Sequence, residues 1–194
     1  MAIHDEWWTR RSRFGQYGWR RTWWNQGGTL LLSPELQKKF PKFRQFVMVT
    51  APRLAAGTDV VPVMAELTGL AEATIRTALK AGNPPRVLVV PDLICNGPAT
   101  GCFRRAQPNQ LEIRQREVEI DEKGLHEMGW TDREIGRTKL GRSQVAVLHE
   151  LVHWADFKAN GNFTRAPTPY HDLGTQWEWK VFAVFDQSMI HKSL

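Results

Sequence analysis

The chain has 194 residues and a formal net charge of +6, with 42% hydrophobic and 24% charged residues. This composition is typical of a folded domain and excludes long disorder. No apolar run approaches the roughly 20 residues that would cross a bilayer, and the first residues lack the basic and apolar segments of a secretory signal peptide. We therefore expect one domain over residues 1–194, with no membrane span and no signal peptide.

The first 28 residues form a distinct segment, in which five tryptophans alternate with five arginines. Such a mixture can stack on bases and pair with phosphates, which would suit nucleic acid. We favour the alternative that the tryptophans pack on the domain as an amino-terminal arm while the arginines face water. Nucleic acid is therefore not an expected partner.

From Ser33 onward the pattern becomes regular. Ser33 can cap a helix whose first position is Pro34, and Gly82 with two prolines ends a later helical region. Alternating apolar residues predict strand structure, broken near Arg114, between residues 109 and 120. In chain order we predict a helix to about Lys39, a helical region from about Val61 to Lys80, a strand at 86–90, one or two strands at 109–120, a helix from Ser143 to about Ala159, and a helix from Thr175 to about Met189.

Two local patterns leave alternatives open. Cys95 and Cys102 bracket a turn-forming segment and could close a small disulfide loop or remain two free thiols. Residues 63–80 resemble a helix-turn-helix with Gly69 at its turn, which together with the positive charge would suit a DNA-binding regulator. We favour a helical hairpin that packs behind the sheet, because no second basic helix follows.

The strongest chemical signal is the stretch His149-Glu150-Leu151-Val152-His153. Histidines at i and i+4 on a helix present two ring nitrogens to one point, and a catalytic zinc ion takes three protein ligands and one open position. Glu150 can then act as the general base that accepts a proton from the attacking water. The helix around these residues is largely apolar, which predicts burial and disfavours two histidines without a metal. We predict that His149 and His153 bind Zn²⁺.

A third ligand must come from another part of the chain. Glu178 shares a stripe with Val181 and Phe182 on the predicted last helix, and a carboxylate on an apolar face needs a cation nearby. We therefore predict Glu178 as the third ligand, with His171 as the alternative. If His171 does not bind the metal, it or Tyr170 could donate a hydrogen bond to the oxyanion that forms during hydrolysis.

Asp156 lies seven residues after His149 and returns to nearly the same helix face. We predict that it accepts the second ring proton of a ligand histidine and so fixes its tautomer. The alternative is a local ion pair with Lys158 at the end of the helix.

The segment from Val147 to Asp156, followed by Gly174-Thr175-Gln176-Trp177-Glu178, resembles the zincin metallopeptidase toxin domains of bacterial effectors, including those attached to type VI secretion spike proteins. The element around Glu178 also resembles the Gly-Thr-x-x-Asp element of the aspzincins. The lead-in departs from the expected pattern by having Asp172-Leu173-Gly174. The resemblance implies an α+β zincin-like fold: a small mixed sheet with an edge strand near 109–120, an active-site helix, and a ligand-bearing carboxyl-terminal helix.

The expected function is a zinc metallopeptidase acting as a secreted antibacterial toxin. The resemblance implies a protein or peptide substrate and delivery into a target cell, with the periplasm as one compartment, and it leaves open an immunity protein and a larger secreted spike polypeptide as partners. The alternatives are a DNA-binding stress regulator that carries the same histidine motif and a binding domain without enzymatic activity.

Overall fold

The computed structural model describes residues 32–57, 59–80, 82–95, 99–124, 140–162 and 172–182. The amino-terminal arm of about residues 1–28 lies outside the described residues, as do Tyr170 and His171. The helices are α1 (Pro34–Lys39), α2 (Pro41–Gln45), α3 (Ala51–Ala56), α4 (Val60–Thr68), α5 (Glu72–Leu79), α6 (Gln115–Glu122), α7 (Arg142–Asn160) and α8 (Leu173–Phe182), and the strands are β1 (Arg86–Val90), β2 (Gly101–Phe103) and β3 (Gln110–Arg114).

Helix α1 begins as the sequence predicts. The Ser33 Oγ accepts a hydrogen bond from the Leu36 backbone N–H at 3.3 Å, and Pro34 occupies a position where no backbone donor is needed. The helix ends at Lys39, so both predicted ends are confirmed.

Residues 41–56 lie outside every predicted element, yet they are helical from end to end. A π-helical segment, Phe46–Thr50, joins α2 to α3, and the Ala51 N–H donates to the Phe46 carbonyl five residues back. Pro52 has no N–H of its own, and such a missing donor favours a local change in helix winding. The two prolines that hide this stretch from a pattern search sit at the start of α2 and within the first turn of α3.

Helices α4 and α5 form the predicted hairpin, in which Gly69 adopts a left-handed conformation (φ 74°) between them. Met64, Ile75 and Leu79 are fully buried, and α4 contacts both α7 and α8. Arg76 is the basic residue within α5, and it is engaged by Glu72 at 2.7 Å and by the Ala55 carbonyl. These contacts support a hairpin that packs against the rest of the domain over one that reads DNA.

The strands form a small mixed sheet in the order β1-β3-β2. Strand β3 pairs in parallel with β1 and antiparallel with β2. The predicted mixed sheet and α+β class are confirmed, but the prediction that 109–120 supplies the edge strand is wrong, because β3 lies in the centre. The edge that faces α7 is β2, a three-residue strand too short to show an alternating pattern.

The second half of the predicted 109–120 strand is also wrong, because residues 115–122 form helix α6. Val118 and Ile120 mimic strand alternation, but the buried side chains are Glu117, Val118 and Asp121, a helical spacing. The sequence could not reveal that Asp121 is buried because it binds the amino terminus of α7, which lies about 20 residues further along the chain.

Asp121 caps the amino terminus of α7, the longest described helix. Its carboxylate accepts hydrogen bonds from the backbone N–H groups of Arg142 (3.2 Å) and Ser143 (2.7 Å) and from the Ser143 hydroxyl. A Cβ on Gly141 would lie 2.5 Å from the Asp121 Cγ, so only glycine lets the two segments approach this closely. A carboxylate here satisfies free N–H groups and complements the positive end of the helix dipole.

Helix α8 is fixed against α4 by Trp177, which is fully buried and donates its indole N–H to the Val60 carbonyl at 3.2 Å. The described part of α8 begins at Leu173, two residues before the predicted start, and the predicted extension to Met189 lies beyond the described residues. Cys95 and Cys102 form a disulfide, which resolves the alternative left open by the sequence.

Among the described residues, no single helix is long and apolar enough to cross a membrane. Two segments, Pro41–Ala56 and Val60–Thr68, meet that criterion of length and composition only when taken together across a bend of 77°.

The Asp121 cap predicts a loss of stability in Asp121→Ala. Removing a buried acceptor that serves two backbone donors should lower the free energy of unfolding by about 1–3 kcal/mol, measured by urea denaturation. Asp92→Ala is the matched control, because Asp92 is exposed and its loss should cost less than about 0.5 kcal/mol. Equal stability of the two variants would contradict the capping role.

Candidate metal centre

Helix α7 presents His149 and His153 toward one point, as their i and i+4 spacing predicts. Their Nε2 atoms lie 3.2 Å apart, and their side chains are 21% and 19% exposed. Two unprotonated ring nitrogens repel each other at this distance, so the pair requires a proton or a cation between them. The helix itself is buried on the apolar side, where Leu148, Leu151 and Val152 are almost fully buried.

The third side chain at this point is Asp172, which directly precedes α8. Its Oδ1 lies 3.2 Å from the His149 Nε2, and its Oδ2 lies 3.0 Å from the His153 Nε2. Oδ1 also accepts a hydrogen bond from the Thr175 N–H at 3.0 Å, which fixes the carboxylate at the start of the helix. The aspartate is thereby held against both histidines from the opposite side of the cluster.

His149, His153 and Asp172 can together hold a metal ion. Each offers one ligand atom, and these atoms all lie within 4.8 Å of one another; within the described ranges, no other group of three histidine, cysteine or acidic side chains does so. Two imidazole nitrogens and one carboxylate oxygen leave a fourth position open, which is the donor set of catalytic zinc sites. The residues present therefore fit the metal that the sequence predicts.

Glu178 approaches His149 from the other side of the ring. Its Oε1 lies 2.7 Å from the His149 Nδ1, an arrangement in which Nδ1–H donates to the carboxylate and Nε2 is free to bind a cation. Glu178 thus contacts one of the two histidines of the cluster. Its predicted role as a direct ligand stays a prediction.

Burial and hydrogen bonding set the protonation of this cluster. Burial opposes the charged form of His149, but the hydrogen bonds to Asp172 and Glu178 outweigh it and raise the pKa of His149 to about 10. Burial also opposes ionisation of Asp172, yet the hydrogen bonds from His149 and His153 hold its pKa well below the usual range. In the absence of a metal the cluster therefore holds a proton on His149, which a cation must displace.

Glu150 follows His149 on α7 and is turned toward strand β2. The side chain is buried, and burial raises the pKa of its carboxyl group against the opposing influence of the two histidines. The Phe103 backbone N–H donates a hydrogen bond to the carboxylate, and a Cβ on Gly101 would lie 2.7 Å from the Glu150 Cγ. An acid with a raised pKa beside a candidate metal centre suits a group that accepts and returns protons.

Gly174 gives α8 its close approach to the cluster. A Cβ at this position would lie 2.5 Å from the His149 ring, so the absence of a side chain lets the first turn of the helix lie directly on the histidine. The glycine that the sequence places between Asp172 and Glu178 is therefore part of the site geometry.

Asp156 is the other predicted site residue within the described part of the chain. Asp156 is buried and accepts a hydrogen bond from the Asn160 side chain at 2.7 Å, and its predicted role toward a histidine stays a prediction. Lys158, its alternative partner, lies near the Asn109 side chain at 3.5 Å and 5.9 Å from the centre of the Trp154 ring. Tyr170 and His171 lie outside the described residues.

Asp172 is a site residue that the sequence did not predict, although it lies in the lead-in to Gly174. The available signal was its position: an aspartate three residues before Thr175, at the start of a predicted helix, is a typical helix cap. The contact of Glu150 with Gly101 and Phe103 gave no sequence signal, because it joins residues about 50 positions apart through an unpredicted strand.

Comparison with known proteins places the chain in a family. Its residues 36–183, about three quarters of the sequence, match the family Metallopeptidase toxin 3. Neither a curated protein nor a solved structure matches the chain. The match spans all three residues of the candidate metal centre, Glu150 and Glu178. The chain belongs to the Metallopeptidase toxin 3 family.

Proposed function

We propose that the chain is a zinc-dependent peptide hydrolase in which His149, His153 and Asp172 bind the metal. The observation that carries this proposal is the convergence of two Nε2 atoms and one carboxylate within 4.8 Å. Zinc bound there would polarise the scissile carbonyl and lower the pKa of a water molecule at its open position.

The other two carboxylates of the site have separate roles, one in proton transfer and one in fixing the tautomer of His149. Glu150 accepts a proton from the attacking water and returns it to the leaving amine, a role that its raised pKa supports. Glu178 holds His149 in the tautomer whose Nε2 binds the metal. His171 or Tyr170 remains the proposed donor to the oxyanion, and Asp156 the proposed support of a ligand histidine.

The family supports a proposal for the substrate and the setting. A metallopeptidase toxin acts on a protein or peptide, and we propose delivery into a target cell, with the periplasm as one site of action. An immunity protein that blocks the cleft and a larger secreted spike polypeptide that carries the domain are further proposed partners. We propose that an extended substrate adds a strand beside β2, the strand at the edge of the described sheet.

Glu150→Ala tests the catalytic role. We expect zinc content to stay near one ion per chain while turnover of fluorescein-labelled casein falls by about 10²–10⁴-fold, because the proton acceptor is lost and the ligands remain. Production of the protein in the bacterial periplasm should be toxic only with Glu150 intact. Undiminished turnover in this variant would remove Glu150 from the mechanism.

Two amide substitutions separate the roles of the acidic residues. We expect Asp172→Asn to weaken zinc binding by more than about 100-fold, whereas Glu178→Gln, which keeps an acceptor for the His149 N–H, should weaken it by about 10-fold or less. Competition with a chromophoric chelator measures both. Glu66→Gln is the control, since Glu66 is an exposed partner of Lys180 on α8. The opposite ranking would make Glu178 the ligand that the sequence predicts.

The pKa of His149 gives the metal-free protein a specific pH dependence. A folded-state pKa raised from 6.5 to about 10 contributes stability that is complete below pH 6.5 and is lost as pH rises toward 10. Urea unfolding of chelator-treated protein should therefore show falling stability from pH 6.5 to 9, and a smaller fall in Asp172→Asn. Constant or rising stability over this interval in the original sequence would contradict the assignment.

A further inference from the structure

Strand β2 is a short edge strand that lies against the active-site helix α7. It has three residues, lies at the edge of the described sheet and pairs with β3, where Gly101 faces Ile113 and Phe103 faces Leu111. An edge strand this short has little stability of its own. Gly101 and Phe103 lie on the face of the strand that contacts α7. The centre of the Phe103 ring lies 5.6 Å from that of the Phe157 ring.

This strand touches the side chain proposed as the general base. The Phe103 N–H donates to the Glu150 carboxylate, and Gly101 leaves so little room that a Cβ there would lie 2.7 Å from the Glu150 Cγ and 2.9 Å from its Oε1. One residue of β2 thus bonds the carboxylate and another limits where it can lie. A displacement of β2 would release Glu150 without moving His149, His153 or Asp172, which sit on α7 and before α8.

A covalent bond holds the strand between these two contacts. Cys102, the middle residue of β2, is 1% exposed and is bonded to Cys95, which is partly exposed. The segment before Cys95 is anchored by Leu93 in the interior. Arg104 also links this segment to the end of the strand, because it donates to the Ile94 carbonyl at 2.6 Å and pairs with Glu112. Arg104 is 42% exposed, so water weakens its ion pair.

We propose that β2 positions Glu150 for catalysis and that the Cys95–Cys102 disulfide makes this positioning conditional on an oxidising environment. The inference rests on the proposed function, since it concerns the same general base. The oxidised chain is the active form. The reduced chain keeps its metal ligands but holds Glu150 loosely, so it binds zinc and turns over slowly.

The switching step is thiol–disulfide exchange with a cellular dithiol. A thiolate of the dithiol attacks the more exposed Cys95 sulfur, the S–S bond breaks, and Cys102 leaves as a thiolate that takes up a proton. The second thiol of the reductant then displaces Cys95, which is protonated in turn. The protein gains two electrons and two protons, and the dithiol becomes a disulfide. A reducing cytosol thereby favours the slow form, and an oxidising compartment favours the active form.

Amide exchange tests the positioning without relying on activity. The hydrogen exchange of the Phe103 N–H, followed by NMR, should accelerate by about tenfold or more when the metal-free protein is reduced with a phosphine. Glu150→Ala should accelerate the same amide with the disulfide intact, because it removes the acceptor. In the double variant Cys95→Ser/Cys102→Ser, the Phe103 amide should already exchange at the fast rate, and the reductant should not change that rate. An unchanged Phe103 rate in reduced protein would overturn the proposal.

Kinetics on labelled casein provide the second arm. Reduction should lower kcat by about tenfold or more, since small misplacements of a catalytic group are costly, while zinc content stays constant and reoxidation restores the rate. Gly101→Ala should lower kcat similarly with zinc and disulfide intact, because its new methyl group displaces Glu150; Thr100→Ala should not. Equal kcat in oxidised and reduced enzyme would refute this inference and leave the proposed function standing. An oxidised, zinc-loaded enzyme that cleaves no casein would refute the proposed function. In that case the amide-exchange result would still decide whether the disulfide holds β2 against Glu150.

Discussion

The placement of the site depends on one constraint: the start of α8 must lie directly on the His149 ring. Gly174 removes the side chain that would prevent this contact, Trp177 fixes the helix to α4, and Asp172 then meets the two Nε2 atoms that α7 presents. Asp121 of α6 caps the start of α7. The position of the two histidines therefore also depends on the packing of α7 against α6. The packing of two helices therefore converts an i and i+4 pair into a three-donor site.

Three acidic residues surround the histidines, and their surroundings give them different chemistry. Asp172 is bonded to both rings and stays ionised, whereas Glu150 is buried against β2 and favours its protonated form more than an exposed glutamate does. Glu178 contacts the ring nitrogen that faces away from Asp172. Separate environments for neighbouring carboxylates are what a hydrolase needs, since one group must hold charge while another exchanges protons.

The sequence predicted the parts of this molecule that repeat locally and missed those that depend on distant contacts. The i and i+4 histidines, the Ser33 cap and the Gly69 turn each carry their signal within a few residues. The α+β class followed from the family resemblance of residues 147–156 and 174–178. Helix α6 was misassigned because Val118 and Ile120 alternate while Asp121 is drawn inward by the end of α7. Asp172 and the contact of Glu150 with β2 were missed for the same reason, because each joins elements that only the fold brings together.

The most direct test of the account is X-ray absorption at the zinc edge on the purified, zinc-loaded protein. The account predicts one zinc ion per chain with two imidazole nitrogens and a carboxylate oxygen in its first shell at about 2.0–2.2 Å, and loss of that shell in Asp172→Asn but not in Glu178→Gln. A protein that holds no stoichiometric zinc, or a shell without paired imidazoles, would contradict it.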